Sequence, residues 1–281
     1  MLIQTIKQIF LGVDGCRAGW ATVEILSYAI TSYSKISISK PSDPGQSISE
    51  YDKWDFHLFP TISDLFKYYR ESGFVSELNG NEENPKKLNC ADMQILIDIP
   101  IGLKESDKEE RKCDREARAF LGPKRGSSIF RVPVRMTVYC KGTYKKASKI
   151  NYDLTTKKIS KQTYYLCKKI REVDEFICSN NSTSNITSIL HESHPEVCFR
   201  LLSGKNLKYS KKTIKGFNER IKIIKHFNKD IDSFITGIYE NKNFGKTEVK
   251  PDDVLDASVL AITAKRIFQE GKINSSILFL H

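Results

Sequence analysis

The sequence predicts an α/β protein, a mixed sheet with helices packed on it. Two short apolar runs, FLGVD and ILID, each end in an aspartate with a glycine within four residues. The predicted elements run strands, helix, strand, a long insertion, strand, helix. The chain has 281 residues, 40% of them hydrophobic, enough for one large domain with insertions. We read residues 1–281 as a single domain with a mostly helical insertion at about 104–178.

Each element has its own signal. Phe10–Asp14 reads as a buried strand ended by Gly15, and Trp20–Leu26 as its neighbour across a tight connection. Positions 31–50 hold seven serines with Pro41, Pro44 and Gly45, which suits an exposed loop. Asp55–Phe59 reads as a third strand. Thr61 opens a helix with Asp64 as its capping partner and Ile62, Leu65, Phe66 and Tyr69 as its apolar stripe. Residues 79–87 are polar and turn-rich, and Met93–Ile99 is the next strand. A charged helix is expected over Ser106–Leu121, before Gly122-Pro123, and another around Ile170–Ile177. Ser179–Asn185 reads as a linker and Ile186–Glu192 as a strand. Pro195 opens a helix to about Leu202, and Pro251 opens the last helix, to about Glu270.

Charge and cysteines narrow the partners and the compartment. Net charge is +11, and it is concentrated. Lys141–Lys169 carries nine lysines against Asp153, and Lys205–Lys225 carries eight Lys/Arg against Glu219. Such patches suit a polyanion, although a solvated lysine-rich face gives the same count. The first stretch is expected to be mobile because it repels itself; Tyr164 and Tyr165 within it are expected to pack in an insertion core. The seven cysteines form no CxxC pair, so reduced thiols are expected rather than disulfides or a zinc cluster. No apolar run reaches membrane-span length and the N-terminus reads as a strand, so no membrane partner and a cytoplasmic location are the default.

Three acids carry the chemical argument. Asp14 and Asp98 end apolar strands, where an ionised carboxylate is costly unless a cation or several donors meet it. Parallel neighbours would bring them about 5 Å apart, and a divalent ion would relieve their repulsion. Asp256 sits one turn inside the last helix among apolar residues, on the same face as Asp253. Asp252 and Asp253 have a second reading as first-turn caps. Glu192 is a further candidate ligand. His194 could serve a proton transfer, or with Glu196 cap the following helix. Arg17, Lys124, Arg125, Ser127, Ser128, Arg131 and Arg135 are donors that could grip phosphates, or neutralise the acids and pin the insertion.

The motifs GVDGCRAGW, DIPIGL, CDREARAFLGPKRGSSIF with VPVR, HESHPEV and DDVLDA occur in this order from Gly12 to Ala257. Together they resemble the family called domain of unknown function 429, whose members are described as predicted ribonuclease H-like nucleases. The ending D-x-x-D-A also resembles the last helix of RuvC-type resolvases. The resemblance implies a ribonuclease H-like mixed five-stranded sheet flanked by helices. It places Asp14 beside Asp98, with Asp253 and Asp256 opposite. It further implies two Mg²⁺ or Mn²⁺ ions on those acids, one activating water and one stabilising the leaving oxygen. The function expected is metal-dependent hydrolysis of DNA or RNA phosphodiesters. The alternative is a catalytically silent nucleic-acid-binding or scaffold protein with the same fold. Phosphoryl transfer ranks third, because no G-x-x-x-x-G-K-[ST] loop is present.

Overall fold

The computed structural model describes residues 2–33, 46–71, 92–106, 108–180, 186–240, 245 and 247–269. Five strands form one sheet: β1 (Leu2–Cys16), β2 (Gly19–Tyr33), β3 (Gln46–Phe59), β4 (Met93–Ile97) and β5 (Leu190–Glu192). Their order is β3-β2-β1-β4-β5. β1, β2 and β3 pair antiparallel, while β4 joins β1 and β5 joins β4 in parallel. This is the mixed, helix-flanked sheet of a ribonuclease H-like fold. Among the described residues no helix is long and apolar enough to cross a membrane.

Residue alternation divides the core between the two faces of the sheet. Phe10, Ala21, Val23, Ile25 and Phe56 point to one face. There they meet α7 (Pro195–Ser203), α8 (Ile214–Ile224), α9 (Ile231–Glu240) and α10 (Pro251–Phe268). Ile9, Leu11, Val13, Trp20 and Phe59 point to the other. They pack with α1 (Ile62–Glu71) and α5 (Lys161–Asn180). The chain between β4 and β5 holds α2 (Lys112–Arg125), a 3-10 turn (Gly126–Ser128), α3 (Arg135–Val138), α4 (Tyr144–Thr155), α5 and α6 (Ile186–Ile189).

Several boundaries differ from the sequence reading. The β2–β3 ladder continues from Trp20↔Phe59 to Tyr33↔Gln46, so residues 31–33 and 46–50 are strand, not loop. Backbone pairing is indifferent to their serines. Positions 79–87, Cys90, Asn181–Asn185 and Glu270 lie outside the described residues. The charged helix starts at Lys112 rather than Ser106 and continues past a kink at Gly122, whose φ of 70° leaves the helical region. Ile186–Ile189 forms a helical turn before β5, burying Ile186 and Ile189 three apart. The lysine-rich stretch expected to be mobile forms α4 and the first half of α5. Tyr165 is exposed rather than core-packed, while Tyr164 donates its hydroxyl to the Gly142 carbonyl at 2.6 Å.

Helix α10 is fully buried along most of its length and crosses β1 directly. Gly12 permits that approach: a Cβ there would lie 1.9 Å from the Ala257 carbonyl oxygen and 2.4 Å from the Ala261 nitrogen. Backbone atoms of two packed elements cannot yield as a surface side chain can. Gly12→Ala is therefore expected to cost about 3 kcal/mol or more. Gly245→Ala, whose nearest neighbour would be Thr247 at 3.7 Å, should change stability by under about 1 kcal/mol. Urea unfolding monitored by circular dichroism measures both, and equal stabilities would contradict this account of the α10–β1 contact.

Candidate functional site

The parallel centre of the sheet sets the site. Asp14 lies near the end of β1, and Asp98 directly follows β4. The Asp98 N–H donates to the Val13 carbonyl at 2.9 Å, so the two aspartates leave adjacent strands side by side. On the next strand, Ser193 N–H donates to the Ile97 carbonyl, bringing His194 to the same edge. The first two turns of α10 supply Asp253 and Asp256. All four aspartates line one cavity of about 490 Å³.

The same cavity is lined by Arg125, Ser127, Ser128, Lys169, His194, Glu196 and Lys211. Thus the structure assembles most of the candidates into one cleft. The carboxylates are expensive there. Asp14 and Asp256 are 7% and 3% exposed. Burial raises the Asp14 carboxyl well above its ordinary value, and the neighbouring charges of Asp98 and Asp256 push it the same way. Burial also lifts Asp256 to about 6, against the pull of Lys211. Asp253 is raised by burial too.

Lys211, which the sequence reading left in a basic patch, is the cation at this centre. Its Nζ donates to Asp256 Oδ2 at 2.7 Å and lies 3.9 Å from Asp252 Oδ2. Burial opposes its charge, but Asp256, Asp14 and Asp98 together hold the ammonium above its ordinary range. Arg125 fixes the chain that presents it. Its guanidinium donates to the carbonyls of Leu207 at 2.8 Å and Tyr209 at 2.6 Å. Lys169 is a second cation missed from sequence; its Nζ donates to the Gly19 carbonyl at 2.6 Å and lies 4.2 Å from the Trp20 ring centroid.

Other candidates take structural positions. Glu192 does not line the cleft: Arg111 donates to both its oxygens, at 2.6 and 2.8 Å, and Ile101 N–H adds a third bond. Arg111 also grips Asp114 through two bonds, which ties α2 to β5. Arg135 faces Asp174 and Glu105, not the cleft acids. Arg131 donates to the Lys108 carbonyl. Lys124 is exposed and outside the cleft lining, and Arg17 lines the adjoining cavity with Lys168 and Lys169. Asp253 Oδ2 accepts the Lys250 N–H at 2.8 Å, so it caps α10 as well as lining the cleft. His194 caps α7, its Nδ1 accepting the Glu196 N–H at 3.2 Å. Glu196 itself is bonded by the buried Arg220. The described cysteines are free thiols.

A second group occupies the opposite face of the sheet. Glu24, Asp55 and His57 each offer one ligand atom, and these atoms lie within 4.8 Å of one another; Glu24 is buried and the other two half-buried, a set that could hold a metal ion.

The cleft's charges make opposite predictions for two substitutions in metal-free protein. Asp14 and Asp256 have raised values, so their contribution to stability is present in acid and is lost as pH rises through about 6 and above. Asp14→Asn should raise Tm at pH 8, with the gain shrinking toward pH 5. Lys211→Met should lower Tm at pH 8 by leaving Asp256 unpaired, and that deficit should also shrink toward pH 5. Differential scanning fluorimetry with chelator across this range reads both; effects of the same sign would refute the charge balance described.

A family model described as "Protein of unknown function (DUF429)" matches residues 12–277. No curated protein and no solved structure matches the chain.

Proposed function

The chain belongs to the DUF429 family, and on the geometry of its acidic cleft we propose that it is a metal-dependent nuclease hydrolysing DNA or RNA phosphodiesters. One observation carries this reading. Four aspartates from the ends of two parallel strands and the start of one helix line a single cavity, two of them buried and forced toward protonation. Carboxylates kept at that cost suit a hard divalent cation. The donors fit Mg²⁺ or Mn²⁺, since all four are carboxylates. When bound by Asp14, Asp98, Asp253 and Asp256, two such ions would supply an activated water and charge compensation at the leaving oxygen.

The chain's own groups would do the rest. Asp14 and Asp256 must shed their protons for the cleft to accept cations, which ties activity to neutral or higher pH. Lys211 neutralises Asp256 in the resting protein and would donate to a phosphate oxygen once substrate enters. With Nδ1 of His194 accepting a backbone N–H, its neutral form carries the proton on Nε2, which is then the nitrogen able to donate. Ser127 and Ser128 offer hydroxyls on the same wall, and Lys169 a further cation. Arg17 and Lys168, in the adjoining cavity, would extend a basic path for a polyanion.

The ammonium of Lys211 on Asp256 favours one other reading, a nucleic-acid-binding protein whose internal cation makes metal and turnover unnecessary. A panel of single-stranded, duplex and branched DNA and RNA, incubated with Mg²⁺ or Mn²⁺, separates the two. Wild type should cleave at least one substrate, and Asp14→Asn should reduce cleavage to background while retaining binding. Lys212→Ala and Lys215→Ala should weaken binding, each lowering the slope of log K against log salt by about 0.9 if it contacts a phosphate. Steeply salt-dependent binding with no cleavage anywhere in the panel would favour the silent reading. Neither binding nor cleavage would sink both.

A further inference from the structure

We propose that Glu24, Asp55 and His57 form a separate site for one divalent transition-metal ion of the zinc class, which braces the edge strand β3 against β2. The argument begins with register. Glu24 pairs with Asp55 across the β2–β3 ladder, and Thr22 pairs with His57. Positions two apart share a face, so all four side chains stand on one side of the sheet. It is the side of Trp20 and Phe59, beneath α1, opposite the α10 face. The site therefore shares no element face with the aspartate cleft.

Three polar atoms in this patch are buried without a hydrogen-bond partner: Glu24 Oε2, His57 Nε2 and Thr22 Oγ1. Thr22 is 0% exposed and Glu24 is 4% exposed, so neither can recover its loss from bulk water. Thr22 belongs to neither the acid pair nor the imidazole, and it is an independent sign that something polar completes the patch. Burial, the charge of Glu24 and a hydrogen bond to its carboxylate raise the phenol of Tyr69, which covers the site from α1. The His57 ring is flanked by Tyr68, Phe59 and Tyr69, at centroid distances of 5.0, 5.8 and 6.4 Å.

The spacing fits a bridging ion better than a direct bond. His57 Nε2 lies 3.8 Å from Glu24 Oε1. A hydrogen bond would need about 2.7–3.2 Å. Two ligands about 2.0–2.2 Å from one tetrahedral zinc stand about 3.4 Å apart. Small rotamer shifts would close the difference. Asp55 Oδ1 accepts its neighbour's Phe56 N–H at 2.7 Å, a bond of the kind that orients ligating carboxylates. Two carboxylates and one imidazole suit zinc and its neighbours in the first transition row rather than Mg²⁺ or Ca²⁺. A water would fill the fourth position, with Thr22 Oγ1 as its hydrogen-bond partner. Asp55 and His57 are only half-buried, which leaves an entry path from solvent.

The test is zinc binding by the full-length chain after chelator treatment, measured by competition with a chromogenic chelator and by the zinc-dependent rise in Tm. Wild type and Asp14→Asn should both bind one equivalent that His57→Ala and Glu24→Gln bind at least about tenfold more weakly. Zinc should raise the Tm of wild type and of Asp14→Asn, but not of His57→Ala. Glu24→Gln removes a buried charge, so its metal-free Tm should equal or exceed that of wild type while its response to zinc is lost. Cobalt substitution should give visible d–d bands that vanish in His57→Ala, which alters a half-exposed side chain and tests the site even if Glu24→Gln fails to fold. Unchanged stoichiometry and affinity in His57→Ala, or no zinc-dependent rise in the Tm of wild type, would overturn the proposal. Loss of the equivalent in Asp14→Asn alone would assign it to the cleft instead and overturn it equally.

Discussion

Helix α10 lies so close to β1 that a methyl group at Gly12 would meet the Ala257 carbonyl oxygen at 1.9 Å. The position of each cleft acid follows from that contact. A helix held by its backbone against the central strand has little freedom to slide, because neighbouring Val254, Leu255, Leu260 and Ala261 are wholly buried around the seam. Its first turn then falls over the end of β1, where Asp14 stands beside Asp98. Apolar packing thus forces four like charges to share one cavity. The residues that pack α10 and those that make the site are interleaved: Asp256 is flanked in sequence by Leu255 and Ala257, both 0% exposed.

The price of that convergence is spread through the neighbouring loop and insertion. Lys211 answers Asp256 directly, and Arg125 holds the Leu207–Tyr209 carbonyls from the end of α2. Arg220, itself wholly buried, bonds Glu196 at the cleft wall, with Arg125 3.9 Å from the other oxygen. Part of the net positive charge is therefore internal compensation rather than a surface offered to a partner. This matters for any argument from charge alone. Lys211 and Arg220 both belong to the Lys205–Lys225 patch, yet they meet acids of the same chain, and only the remaining lysines are comparable with solvated or phosphate-binding groups.

Sequence made the acids legible and concealed their partners. Asp14, Asp98 and Asp256 stood out because each interrupts an apolar run, and burial makes such an interruption costly. Lys211 had no such signature, since it is one lysine among many and its role depends on a loop trajectory that no local pattern encodes. Glu192 read as a further ligand from its alternation with His194, but Arg111, 81 residues away in sequence, satisfies it. The pairing of Glu24 with Asp55 and of Thr22 with His57 requires the exact β2–β3 register. The serine-rich segment between these strands hid that register by resembling an uninterrupted loop. Helices α8 and α9 also escaped notice inside a charged stretch, although Ile221, Ile224, Ile231, Ile235 and Ile238 mark their buried faces.

The sheet separates two kinds of donor set by the elementary alternation of side chains. Asp14 shares a parity with Phe10 and Gly12 and belongs to the α10 side; Thr22 and Glu24 share the parity of Trp20 and stand on the α1 side. On the first side every acid is an oxygen donor, and Lys211 and Lys169 line the same cleft. On the second, an imidazole joins two carboxylates beneath aromatic rings, and no lysine or arginine is bonded to the set among the described residues. Hard and borderline cations prefer these two environments in opposite order. On the readings proposed above, a cleft open to a polyanion would gain from exchangeable, hydrated ions, whereas an edge strand would gain from a ligand that stays. Standing on opposite faces of one sheet, neither set of acids raises the cost of the other.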